Sequence, residues 1–303
     1  MIQTIGKVTL DFTYYQGTDL YNEGDEVEEK VLETVQNETD YVETLSKDTR
    51  WPILYQLSKE RENIIEPLDI RKTDTVLEVG AGMGAVTGAI ARRCKRVDCI
   101  DLSKRRSLAN AYRNREYDNI HIIVGNYQDV KLTEQYDVIT LIGVFEYAQW
   151  YIDGENPYAA FLKQLAGQLK PNGRLYIAIE NKLGIKYFAG CVEDHLGEPF
   201  RGIEGYNASQ KVRTFTHSEL EKLIVENGFK EPYFYYPFPD YKLPNVIFSD
   251  DYLPDSSFNA SPYPNYDAPR LVCFDEQKVM LGLSNTEEFK TFANSFLVEA
   301  IKI

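Results

Sequence analysis

The sequence predicts an α/β fold built around a mostly parallel sheet, and three observations carry that expectation. The first is Val76-Leu-Glu-Val-Gly-Ala-Gly-Met-Gly84, an apolar strand running into a glycine turn with a carboxylate two positions before the first glycine. The second is recurrence. Arg96–Asp101, His121–Asn126, Tyr136–Gly143 and Pro171–Ile179 read as further short apolar strands with helical segments between them, the alternation that βαβ units require. The third is an acid at the end of the second strand: Asp101 follows Gly84 by seventeen residues, where a carboxylate can accept hydrogen bonds from both hydroxyls of a ribose.

Taken in order, Lys7–Tyr15 is β-prone, an acidic turn follows at Asn22–Asp25, and Val27, Val31, Leu32 and Val35 fall at helical spacing. That stripe is too small for a core of its own and predicts a cap. Trp51–Ile65 reads as a lead-in helix ended by Pro67. Ala85–Arg93 has the small and apolar residues of a buried helix, whose first turn would aim free N–H groups at a ligand in the glycine loop. After Asn181 charged, aromatic and glycine residues interleave without a period through Tyr206, which predicts a long functional loop. Thr216-His-Ser-Glu219 is a capping box for a helix over 219–227, stopped by Gly228. Tyr233–Phe238 is β-prone, and Glu287–Ile301 carries a last helical pattern. The expected organisation is a cap and lead-in over 1–65, a core over 66–245 with a substrate loop at 182–210, and an extension over 246–303.

The glycine turn admits two ligands. Gly80, Gly82 and Ala85 satisfy the dinucleotide pattern, which implies a nicotinamide cofactor. The fuller set of motifs, over residues 65–240, resembles the class I S-adenosylmethionine-dependent methyltransferases. Glu78-x-Gly80-x-Gly82-x-Gly84 matches that family's first motif and Asp101 its ribose-binding acid. Gly125-Asn-Tyr127 matches the adenine loop, Asp137–Tyr147 the fourth motif, and Leu169–Gly173 the turn before strand five. The resemblance implies a Rossmann-like, seven-stranded, mostly parallel sheet with helices on both faces, with S-adenosylmethionine as cofactor and S-adenosylhomocysteine as product.

On that resemblance Gly80, Ala81, Gly82 and Gly84 allow close main-chain approach and Glu78 orients the methionine end. Asp101 grips the ribose, Leu102 packs on the adenine, and Asn126 with Tyr127 meets the base edge. The carbonyl of Gly143 meets the cofactor's ammonium, or Gly143 only packs. Methyl transfer from a sulfonium asks the protein for alignment, exclusion of water and removal of one proton. Glu146 and Tyr147 lie just past strand four, where many relatives have Glu-His, so Tyr147 removes one potential base. His195, beside Glu193 and Asp194, is the candidate general base. Tyr147, Asp194, Arg201 and Tyr206 are candidate substrate contacts. The expected chemistry is metal-free, with a divalent ion at Glu146, Glu180 and Asn181 as the alternative.

Composition bounds the rest. The chain has 303 residues, 43% of them apolar, enough for a real core. Its net charge of −14, from 33 basic and 47 acidic side chains, argues against a nucleic-acid partner. Cys94, Cys99, Cys191 and Cys273 form no C-x-x-C pair, as in a reduced cytoplasmic protein, and no run is long and apolar enough for a membrane span. The loop at 182–206 and Tyr236–Pro244 resemble bacterial methyltransferase domains found with, or fused to, glycosyltransferases of surface-polysaccharide assembly. That implies O-methylation of a sugar or glycan hydroxyl and a glycosyltransferase module or partner. The alternatives are a small-molecule O- or N-methyltransferase and a non-catalytic cofactor-binding scaffold.

Overall fold

Short strands with β-branched and aliphatic residues open the chain and fold back on themselves. In the computed structural model, which describes residues 1–19, 24–207, 209–258 and 270–303, β1 (Ile2–Ile5) and β2 (Val8–Asp11) form an antiparallel hairpin. The first two residues of the expected acidic turn at 22–25 lie outside the described residues. Two units make up the fold, Met1–Ile142 with Gly167–Arg174, and Gly143–Ala166 with Leu175–Ile303. The division runs between Ile142 and Gly143 rather than near residues 65 or 245.

In the first unit, helices α1 (Asp25–Asn37), α2 (Val42–Lys47) and α3 (Trp51–Leu57) precede the strands. Val31 and Val35 of α1 are fully buried with Ile53 and Leu57 of α3, Met83 of the glycine turn and Ala109. Each such side chain contributes about 1.5–3 kcal/mol on burial, so the amphipathic stripe is satisfied against neighbours, as a cap requires. The lead-in helix expected over 51–65 stops early. Ser58 adopts an extended conformation and its hydroxyl accepts a bond from the Glu60 N–H, which restarts the chain as a 3-10 segment over Lys59–Ile65.

There follow β3 (Thr75–Val79), α4 (Thr87–Ala91), β4 (Arg96–Asp101), α5 (Lys104–Arg113), β5 (Ile120–Val124) and β6 (Tyr136–Ile142). The strand order in this unit is β1-β2-β5-β4-β3-β6. Strands β2, β5, β4, β3 and β6 are joined by parallel ladders. Parallel strands need long crossovers, which α4 and α5 supply. The carboxyl ends of β3, β4 and β5 therefore lie side by side and open into the glycine turn, the Asp101 loop and the Asn126 loop.

The second unit contains α6 (Ala148–Tyr151), most of α7 (Pro157–Gln168) and the second half of β7 (Leu169–Glu180). Strand β7 runs through the turn expected at 169–173, with Asn172 at a positive φ of 58° inside it. The loop beyond carries only two single-turn helices, α8 (Ile185–Phe188) and α9 (Arg201–Glu204). Helix α10 (His217–Val225) starts with the complete capping box of Thr216 and Glu219.

Then come β8 (Tyr233–Phe238), β9 (Val246–Ser249), α11 (Glu276–Leu283), α12 (Glu288–Phe292) and β10 (Ser295–Ile301). The expected helix over 287–301 is corrected: only its first turn is helical. Ser295-Phe-Leu-Val-Glu-Ala-Ile301 is buried at nearly every position and lies between β7 and β8, pairing antiparallel with β8. Burial on both faces erases the alternation that distinguishes a strand from a helix.

The α/β expectation holds, but the count of seven strands does not, since the described residues contain ten. The amino-terminal hairpin adds two, laid on the edge of β5, and β9 adds a third on β8.

Candidate functional site

The glycine turn in the first unit spends its amides on itself. Gly80 and Ala81 N–H groups donate to the Ile100 carbonyl at 2.8 and 3.2 Å, and Gly84 donates to the Ala81 carbonyl at 3.0 Å. Gly82 donates to Asp101 Oδ2 at 2.8 Å, while Oδ1 of the same carboxylate accepts from Ser103 N–H at 2.9 Å. The amides at these four positions are thus committed within the protein; the free N–H groups expected of the helix that follows concern its first turn, from Ala85. Gly82 and Gly84 have φ of 53° and 74°, and a Cβ at Gly84 would fall 2.4 Å from Asn110 Oδ1. Their lack of a side chain lets α5 close on the turn, with the Arg106 guanidinium against Gly82 and Asn110 and Asn114 against Gly84.

Glu78 faces inward. It accepts from the Thr87 hydroxyl at 2.7 Å and the Cys99 thiol at 3.4 Å, and Thr87 in turn accepts from Asn110 at 3.1 Å. Burial pushes its carboxyl up to about 7, against which the Thr87 and Cys99 bonds pull only in part. Glu78 therefore ties strand, turn and α5 together from behind the loop. Burial likewise raises Asp101, although the nearby Arg106 charge and its two backbone donors favour the ionised form. Leu102 is half-buried beside it, and Asn126 Oδ1 caps the 3-10 turn of Tyr127–Asp129 by accepting from Gln128 N–H.

This cradle fits a nucleoside without a pyrophosphate. A dinucleotide needs turn amides for its phosphates, and those of Gly80, Ala81, Gly82 and Gly84 are already committed. A half-buried acid stands at the end of β4, and its oxygens keep lone pairs beyond the two bonds they accept.

In the second unit, charged side chains converge on His195. Its Nδ1 lies 3.0 Å from Glu193 Oε1, and its Nε2 lies 3.6 Å from Glu146 Oε1 and 3.7 Å from Glu180 Oε2. Glu193 is pinned by the N–H groups of His195 and Leu196 and by the Tyr206 hydroxyl. Glu180 ends β7 fully buried, with Oε1 accepting from the Tyr241 hydroxyl at 3.3 Å and paired with Lys242. Tyr147 stands edge-on to the imidazole, ring centroids 5.3 Å apart. Oε2 of Glu146 and Oε2 of Glu180 are buried without a hydrogen-bond partner.

Burial alone would lower the pKa of His195, but the charge of Glu180 and the nearby Glu146 and Glu193 carboxylates hold it well above the ordinary value. It is Glu193, not Asp194, that holds the ring. Asp194 is engaged by Lys186, Lys242 and the Tyr187 hydroxyl, and the two lysines hold its carboxyl far below the usual range despite burial. Lys186, fully buried, also bonds Asp240 at 2.8 Å.

Of the other candidates, Tyr206 braces Glu193, and Arg201 pairs with Glu198 at 2.6 Å. Asn181 donates to the Thr291 and Ala293 carbonyls at 2.7 Å each, which removes it from the expected ion-binding set. Gly143 has its N–H on the Ala178 carbonyl and sits beneath the Tyr241 hydroxyl. Sequence reasoning offered Lys186 and Tyr241 as contacts for a sugar and missed Lys242, which no local motif marks.

The comparisons with known proteins fall on the same strands. A methyltransferase-domain model matches residues 77–175, from β3 into β7. Over those residues the chain is similar to a methyltransferase domain. Its class I S-adenosylmethionine-dependent methyltransferase fold is also that of a Haloferax volcanii methyltransferase described with its Trm112 activator, at a TM-score of 0.50 and 16% identity over 93% of this chain and 99% of that one. A Haemonchus contortus phosphoethanolamine N-methyltransferase, described in complex with phosphoethanolamine and S-adenosylhomocysteine, matches at 0.50 and 12% identity over 91% of this chain and 48% of that one.

Among curated proteins, a probable ribosomal RNA small subunit methyltransferase A of Methanococcus aeolicus is 37% identical over 70 residues, 23% of this chain. Its counterpart from Syntrophus aciditrophicus is 26% identical over 98 residues, 32% of this chain. The matches span 26% and 33% of those two relatives' own lengths. These relatives overturn the expectation that nucleic acid is excluded as a partner. Net charge is summed over a whole chain, whereas phosphates are met by one face, so the sum does not decide the acceptor. Among the described residues no helix is long and apolar enough to cross a membrane.

Proposed function

We propose that the protein is an S-adenosylmethionine-dependent methyltransferase. One observation carries the reading: the amides of Gly80, Ala81, Gly82 and Gly84 are spent internally while the half-buried Asp101 carboxylate is held against the turn by Gly82. Such a turn suits a cationic, phosphate-free nucleoside and disfavours a nicotinamide dinucleotide. In this reading the main chain of Gly80, Ala81 and Gly82 lies along the methionine end. Asp101 accepts from the ribose hydroxyls, and Leu102, Asn126 and Tyr127 border the base. The cofactor, when bound, supplies a methyl group already activated for in-line displacement.

The acceptor is a proton-bearing nucleophile. The finer form of the reading is O-methylation of a sugar or glycan hydroxyl, supported by the resemblance of residues 182–206 and 236–244 to bacterial methyltransferase domains found with glycosyltransferases. A second reading, an RNA acceptor, draws on the names of the curated relatives.

Calorimetry with S-adenosylhomocysteine and with NAD⁺ tests the cofactor. Heat with the first and none with the second is expected, and the reverse on folded protein overturns the reading. Transfer of labelled methyl to a panel of nucleotide sugars, oligosaccharides, small amines and ribosomal RNA then selects the acceptor.

A further inference from the structure

We propose that Glu146, Glu180 and His195 form a binding site for one divalent transition-metal cation of the manganese or zinc class. One ligand atom from each lies within 4.8 Å of the others. The spacing is informative. His195 Nε2 stands 3.6 and 3.7 Å from the two glutamate oxygens, too far for a hydrogen bond. Ligands each about 2.0–2.2 Å from a shared ion, at angles of roughly 110°, lie about 3.3–3.6 Å apart. Both imidazole–carboxylate distances thus lie close to those that coordination imposes.

A second, independent observation points to a ligand. Both glutamates are buried, with relative exposures of 1% and 0%, and each leaves its Oε2 without a hydrogen-bond partner. Native interiors satisfy such atoms or use them. A cation bridging Glu146 and Glu180 satisfies both.

The surroundings are those of an oriented ligand set. Metal-bound histidines commonly donate their second ring N–H to a carboxylate, and His195 Nδ1 faces Glu193 Oε1 at 3.0 Å. That carboxylate is fixed by two backbone amides and the Tyr206 hydroxyl, so the direction of Nε2 is set before any ion arrives. Glu180 is steadied by the Tyr241 hydroxyl, and the backbone carbonyl of Glu146 by the Tyr158 hydroxyl and the Arg213 N–H.

Nearby, Lys242 pairs with both Asp194 and Glu180, and Lys186 with both Asp240 and Asp194. The carboxylates of Glu146, Glu180, Glu193, Asp194 and Asp240 thus outnumber the two ammoniums, an excess that a divalent cation offsets. One nitrogen among oxygen donors favours manganese or zinc over magnesium or calcium, which take oxygen sets. The inference concerns ion binding and stands apart from the choice of cofactor or acceptor.

The test is a titration of the full chain with Mn²⁺, followed by loss of the free-ion electron paramagnetic resonance signal, with a parallel Zn²⁺ titration on a Cys273→Ser background to remove the exposed thiol. One ion per chain and a rise in melting temperature are expected. His195→Ala and Glu180→Gln should each weaken binding at least tenfold. Glu193→Gln, which removes no ligand, should weaken it by roughly tenfold. Absence of binding at millimolar ion by folded wild-type protein overturns the proposal. So does stoichiometric binding that His195→Ala and Glu180→Gln leave unchanged.

Discussion

The glycine turn and the His195 cluster are opposite solutions to building a site. The turn is made from one contiguous stretch and its own main chain: Gly80, Ala81, Gly82 and Gly84 close on one another and on β4 through amides. The cluster has almost no main-chain logic. Glu146, Glu180, Lys186, Glu193–His195, Tyr206 and Asp240–Lys242 come from separate segments and meet only through side-chain bonds. The difference teaches where each site is vulnerable. The turn fails by losing shape, and the cluster fails by losing charge balance.

The strongest way to break that contrast is Lys186→Met. It strips a cation from the buried Asp194 and Asp240, and an uncompensated buried charge costs about 3–5 kcal/mol. Denaturant melts should show that loss, and a change below about 1 kcal/mol would mean the cluster is not held by charge.

Next comes Glu78. Unfolded, it ionises near 4.5, whereas in the fold it does so near 7. Between these values the folded chain keeps a proton that the unfolded chain has released, so stability falls as pH rises and the loss is complete above about 7. Glu78→Gln should remove that slope. The difference between wild type and variant should grow by roughly 3 kcal/mol at most across the window, read from unfolding at several pH values.

Asp101→Ala sharpens the contrast from the other side. With two ribose hydrogen bonds to a charged acceptor gone, S-adenosylhomocysteine should bind about a hundredfold more weakly by calorimetry, with the far-UV circular dichroism unchanged. Equal affinity would remove Asp101 from the cofactor reading. The smallest effect is expected of Tyr206→Phe, which deletes one bond to Glu193 and should cost about 1 kcal/mol in thermal unfolding.

The same contrast explains what the sequence disclosed. Strands β3 to β6 and the Thr216 capping box were legible because each is signalled within a few residues, by an apolar run, a glycine turn or a reciprocal cap. Ser295–Ile301 was misread as helix because, buried on both faces, it lost its period of two. Asp101 was singled out because its distance from the turn is a local count. Lys242 was invisible since its partner Asp194 is 48 residues away in the chain. His195 was found from its acidic neighbours, but Glu146 and Glu180, which also approach its ring, come from distant segments that no local pattern marks.

The amino-terminal hairpin has a practical consequence. Strand β2 is stitched to β5, and β5 leads directly into Gly125, where a Cβ would fall 2.6 Å from Tyr14. The beginning of the polypeptide thus forms a wall of the nucleoside loop, so an affinity tag hung ahead of Met1 pulls on the very segment whose ligand one hopes to measure.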